Sequence, residues 1–200
     1  MGTNRLEAFS DGVFGIAATL LILNVAVDAG GHLSDELLRI WPSYVAYAVS
    51  FVTIGIIWAN HHTVMHQISH VNRTFLVINT LFLMVVAFIP FPTHLLSEYI
   101  LDPEAAQAAA IAYGITGTLV AVMFNILWRY AASGRRLLRA DAKARTVDGI
   151  SRSYLPGPFL YLAATAVAFV SPTVSAGIYA AIALFYVIES SFFGDSEGPS

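Results

Sequence analysis

An all-α, polytopic membrane protein with six transmembrane helices per chain is the fold class this sequence predicts, and three observations predict it. The 200 residues are 57% apolar and only 12% charged, with a mean hydropathy of +0.69, whereas a water-soluble domain carries charge on roughly a quarter of its residues. Uncharged stretches of about 20 residues, the length that crosses ~30 Å of hydrocarbon as a helix, recur along the chain. Almost all basic residues fall in alternate gaps between those stretches. The net charge of −3 leaves no surplus to neutralise phosphates and argues against a nucleic-acid partner. The absence of cysteine excludes disulfides, thiol nucleophiles and cysteine-bound zinc.

The first span covers 6–27, with Glu7 and Asp11 in its opening turns and no charge from Gly12 onward. Those acids oppose the charge sign of a cleaved secretory signal. The second span covers 40–60 and the third 74–97, where Pro90-Phe91-Pro92 should bend or unwind the helix because proline lacks a donor. The fourth covers 105–128. No charge appears over 153–188, too long a run for one crossing, and Ser171-Pro172-Thr173 is the natural turn within it. That break gives a fifth span over 153–170 and a sixth over 174–193. Residues 1–193 thus form one six-helix domain, followed by a disordered polar tail over 194–200.

Positively charged loops stay cytoplasmic. With the amino terminus inside, Arg5, Arg73, Arg129, Arg135, Arg136, Arg139, Lys143, Arg145 and Arg152 are all cytoplasmic, and Arg39 alone is outside. Asp28, Asp35, Glu36, Glu98, Asp102 and Glu104 then fall in outer loops, and six crossings place both termini in the cytoplasm. The basic loop 129–152 serves topology and solvation, with contact to anionic lipid head groups as a further use.

The first helix carries the informative residues. Arg5 and Asp11 are ionisable groups at the start of a span, and six residues apart they are turned about 240° from one another. Each therefore needs a partner on another helix, unless Ser10 or Asp11 merely caps the helix and Arg5 anchors the interface. Asp11, Gly15, Ala18 and Ile22 make a small-residue face that admits a close neighbour, and Gly12, Ile16, Thr19, Leu20 and Leu23 make an apolar stripe with one hydroxyl. Periodicity alone does not choose between lipid contact, bundle core and a more specific role for that stripe.

The run Arg5-Leu-Glu-Ala-Phe9-Ser10-Asp11-Gly-Val-Phe-Gly-Ile16-Ala-Ala-Thr19-Leu20 resembles the Arg-x-x-x-Phe-Ser-Asp first helix of the transmembrane protein 175 family of potassium channels. Trp58-Ala-Asn60-His61-His62 and Pro90-Phe91-Pro92-Thr93 resemble the same family at the ends of its second and third spans. The resemblance implies a pore lined by the first helix of each repeat. Animal members carry two six-helix repeats and bacterial members one, so the single motif here implies a homotetramer with identical faces on the axis. It further implies that Ile16, Leu20 and Leu23 form a hydrophobic constriction, with Thr19 as a hydroxyl layer tied to selectivity. Arg5, Phe9, Ser10 and Asp11 would join a polar network with the second helix, through His61 or His62. A narrow apolar neck gates by dewetting, and acidic residues near the mouths favour cations. The resemblance implies potassium as the permeant ion, and no cofactor is expected.

Other chemistries find less support. Thr53-Ile54-Gly55-Ile56-Ile57 lacks the second glycine of a carbonyl-lined filter, so Gly55 reads as helix packing. His62, His66 and His70 recur every four residues on what would be one helical face, which raises metal binding or proton sensing, but no acid or thiol accompanies them. No nucleophile–base or paired-carboxylate spacing points to an enzyme. A coupled secondary transporter, with Asp11 and the histidines as proton relays, is the alternative, although paired broken helices are absent; a membrane scaffold without transport is weaker still.

Overall fold

In the computed structural model, residues 3–27 and 32–194 are described, with side chains up to residue 188. Helix α1, Asn4–Leu20, tightens into a 3-10 segment, Leu21–Asn24. A short helix α2, Leu33–Arg39, leads to α3, Trp41–His66. Then come α4, Arg73–Phe88; α5, Pro90–Tyr99; and α6, Ala106–Ala132. Helices α7, Ala144–Tyr154; α8, Gly157–Val167; and α9, Pro172–Gly194, complete the described helices. Asp28 and the expected tail beyond Gly194 lie outside the described residues.

Local chemistry sets the helix boundaries. Pro42 sits in the first turn of α3, where its missing N–H costs nothing. The Asn72 side chain accepts from the Phe75 N–H at 2.9 Å and caps α4. Pro90 and Pro92 divide the third apolar stretch into α4 and α5, as their lost donors require. Gly134, at φ +60°, turns the chain out of α6.

Among the described residues, four stretches are long and apolar enough to cross a bilayer: 4–24, 41–66, 73–99 and 106–135. The long uncharged run that follows is broken twice. Leu155 and Pro156 separate α7 from α8, and Ser171 opens α9 by accepting from the Val174 N–H at 3.4 Å. Helix α8 has only 11 residues, about 16 Å of rise against ~30 Å of hydrocarbon. Apolar composition there predicts membrane residence but does not resolve how the backbone is cut.

Buried side chains gather in two clusters. One is built from α1, α3, α4 and α6, around Phe14, Ile54, Phe75, Phe82, Leu127 and Trp128. The other joins α5, α6, α8 and α9, around Leu96, Tyr113, Ala164, Tyr179 and Ile182. Helix α6 runs through both. Gly114 and Gly117 make its contact with α8 and α9 possible: a Cβ at Gly114 would strike Tyr179 Oη and Thr165, and one at Gly117 would strike the Tyr161 ring. Gly55 is not such a position, since a Cβ there meets nothing within 4 Å. Among the described glycines, the two whose Cβ would collide with a neighbour both lie on α6.

Candidate functional site on the first helix

Helix α1 has two unlike faces. Leu6, Ser10, Phe14, Ala17 and Leu21 recur at helical spacing and are buried against the rest of the chain. On this face three polar side chains on three helices join in one direction. His61 Nε2 of α3 lies 2.9 Å from Asn79 Oδ1 of α4, and because an amide oxygen only accepts, the imidazole donates. Asn79 Nδ2 then donates to Ser10 Oγ at 3.1 Å, and Ser10 Oγ donates to Leu6 O at 2.8 Å. All three residues are at most 1% exposed. Phe14 and Phe82 pack on the imidazole, with the Phe82 ring stacked at a 5.8 Å centroid distance. In a low-dielectric interior such bonds cannot be exchanged for water, so they fix the rotation of α1 about its axis.

Asp11 finds its partner elsewhere: Trp58 Nε1 of α3 donates to Asp11 Oδ1 at 2.8 Å. The expectation that a histidine would face Asp11 is corrected here. His61 lies one turn further along α3, turned inward to Asn79, while His62 stacks on Trp58 and its Nε2 lies 3.1 Å from His66 Nε2. Arg5 and Phe9 are exposed on the chain's surface, and Arg5 forms no ion pair among the described residues. Helix α3 ends at His66, so His70 does not share its face; it lies beyond the helix, 2.9 Å from Ser69 Oγ.

Asn79 escapes a motif-based reading, and Trp58, which opens the second family motif, was not read as the partner of Asp11. A signal for Asn79 was present. It is a lone amide in line with Phe75, Phe82, Leu83 and Val86, the core-facing residues of α4, where an unpartnered polar group is costly. Trp58 reads as an interfacial tryptophan, and nothing in its spacing distinguishes that role from donation to Asp11.

The opposite face of α1 is exposed among the described residues. Ile16 is 63% exposed, Leu20 42% and Leu23 71%, while Gly12 and Gly15 have open space where a Cβ would stand. Thr19 shares this face, with Oγ1 at 3.0 Å from both Gly15 O and Ile16 O. Its only hydrogen is committed to its own backbone, so the lone pairs are left to face outward. Asn24 Nδ2 donates to Pro90 O at 3.2 Å, pinning the 3-10 end of the helix to the break between α4 and α5. The face is thus apolar with one hydroxyl, and its outer end is tied to the α4–α5 break. Among the described residues, no group of three or more His, Asp or Glu side chains is placed to hold a metal ion.

The family model described as the endosomal/lysosomal potassium channel TMEM175 matches residues 5–90, the segment that contains α1, the Trp58–His62 run and Asn79. A potassium channel of Chamaesiphon minutus is 42% identical over 194 residues, covering 94% of this chain and 95% of that protein. A potassium channel of Streptomyces collinus is 40% identical over 189 residues, covering 92% and 91%. The crystal structure of a lysosomal potassium-selective channel TMEM175 homolog from Chamaesiphon minutus superposes with a TM-score of 0.84 at 40% identity, covering 94% of this chain and 97% of that one. With the Arg-x-x-x-Phe-Ser-Asp helix intact, its serine anchored in the core, and likeness extending over nearly the full length of two relatives, the chain belongs to the TMEM175 family.

Proposed function

We propose that this chain is a potassium-selective channel of the cytoplasmic membrane, assembled as a homotetramer around the outward face of α1. The observation that carries the proposal is the contrast within α1: one face is locked to α3 and α4 by buried polar bonds, and the other leaves Ile16, Leu20 and Leu23 exposed among the described residues. Membership of a family whose relatives from Chamaesiphon minutus and Streptomyces collinus are named potassium channels gives that face an ion path to line. Four copies related by cyclic symmetry bring identical side chains to one axis. Ile16, Leu20 and Leu23 then form an apolar neck that closes by dewetting and opens when the helices splay. Thr19, its hydrogen already committed, offers oxygen lone pairs to a partly dehydrated cation. Arg5 lies eleven residues before Ile16, about three turns away along the same outward line, and takes its partner from a neighbouring copy. Both termini are cytoplasmic, with α8 and its closing turn as a short fifth crossing and α9 as the sixth.

Purified protein in liposomes tests the reading. The expected result is a potassium flux larger than the sodium flux, unsaturated with concentration and independent of a proton gradient, from particles with the mass of four chains. Flux that saturates and requires a proton gradient would replace the channel with a coupled transporter.

A further inference from the structure

Along α3, beyond the bonds that hold α1, His62 and His66 stand on one helical face with their Nε2 atoms 3.1 Å apart. Both are exposed, and neither belongs to the His61–Asn79–Ser10 chain. The spacing is that of two histidines at i and i+4 on a helix, the arrangement that places two imidazoles on one metal ion. The distance fits. Bonds of about 2.0–2.1 Å at a tetrahedral angle set a nitrogen–nitrogen bite of roughly 3.3 Å for Zn²⁺, and right-angled bonds set about 2.9 Å for Cu²⁺. We propose that His62 and His66 form a two-histidine site for a borderline transition-metal ion, Zn²⁺ or Cu²⁺, with water completing the coordination.

The metal-free pair is held by one shared hydrogen, because two facing imidazole nitrogens bond only when one donates and the other accepts. Metal binding needs a lone pair on both Nε2 atoms. The donor ring therefore moves its proton to Nδ1, two N–metal bonds replace one N–H···N bond, and two neutral imidazoles lose no net proton. His66 closes the last turn of α3, where free carbonyls favour a cation. His62 is stacked on Trp58 at a 6.1 Å centroid distance and 25°, and Trp58 donates to Asp11 of α1. An ion at the pair thus immobilises the ring against which Trp58 rests, next to the bond between α3 and α1. His70, engaged with Ser69, stays outside the site.

The site stands apart from the channel reading, and so does its test. Tag-free protein in detergent is titrated with Cu²⁺ while tryptophan fluorescence is recorded, and with Zn²⁺ by calorimetry. The expected result is saturable quenching at micromolar Cu²⁺ with one site per chain, and electron paramagnetic resonance showing two imidazole nitrogens on the copper. His66→Ala should weaken both metals at least about tenfold, since removing a ligand costs no less than disturbing its support. His70→Ala should leave affinity unchanged. Trp58→Phe should lose most of the quenching yet retain calorimetric binding. Absence of saturable binding to the wild-type protein, or a His66→Ala protein that titrates like it, overturns the proposal. The resonance spectrum of the wild type decides the ligand count even if a variant misfolds.

Discussion

The two halves of the molecule solve the same packing problem by different means. Lipid tails are as apolar as leucine, so helices within a membrane are not driven together by burial alone. Around α1, α3 and α4 the added interaction is a directed series of hydrogen bonds, His61 to Asn79 to Ser10. Around α6, α8 and α9 it is close approach: Gly114 and Gly117 admit Thr165, Tyr161 and Tyr179, and Tyr179 Oη lies 3.1 Å from Ala110 O. Close approach sets how near two helices lie. A directed bond also sets how each is rotated, and rotation decides which side chains of α1 are turned outward. Between the halves, Ser50 Oγ lies 2.9 Å from Thr93 Oγ1 and 3.1 Å from Tyr113 Oη, tying α3 to α5 and α6 just past the proline break.

The largest expected effect of a single change is therefore in the amino-terminal half. Asn79→Leu keeps the volume and removes both bonds, leaving the His61 N–H without an acceptor and Ser10 without its donor, at a cost of about 2–4 kcal/mol. Thermal unfolding in detergent should show the loss, together with reduced tetramer yield; an unchanged midpoint would mean that the series does not hold α1.

Gly114→Ala should destabilise by about 1–3 kcal/mol through overpacking against Tyr179 and Thr165. Its ion discrimination in liposomes should stay that of the wild type, because α1 keeps its rotation. A selectivity change in this variant would show that the halves are not separable. Smallest is Trp58→Phe, which removes the donor to Asp11 between two exposed side chains and should cost about 1 kcal/mol in the same unfolding measurement. A loss as large as that of Asn79→Leu would move the anchor of α1 from Ser10 to Asp11.

Much of this division was legible in the sequence, and the limits have physical causes. The paucity of charge announced the membrane, and Pro90 and Pro92 announced the break between α4 and α5, because each property belongs to the residues themselves. Likewise, the Arg-x-x-x-Phe-Ser-Asp run singled out α1. Its bonding partners were harder to read, since a polar residue needs a partner without specifying one: Asp11 took Trp58 instead of a histidine, and Ser10 reached His61 only through Asn79. The His70 expectation failed because α3 stops at His66, and spacing by four means a shared face only while the helix continues. Gly55 was indistinguishable from Gly114 by residue type; only the packing of the neighbouring helices shows which glycine is approached.

The absence of native cysteines makes one measurement especially direct. An Ile16→Cys chain, reconstituted in liposomes and treated with a water-borne thiol reagent, should lose potassium flux in proportion to modification, because in the proposed tetramer a bulky group on each α1 would fill the neck. An introduced thiol that stays unreactive while the ion flows, or that is modified fully with flux unchanged, would place the ion path elsewhere and remove α1 from the axis.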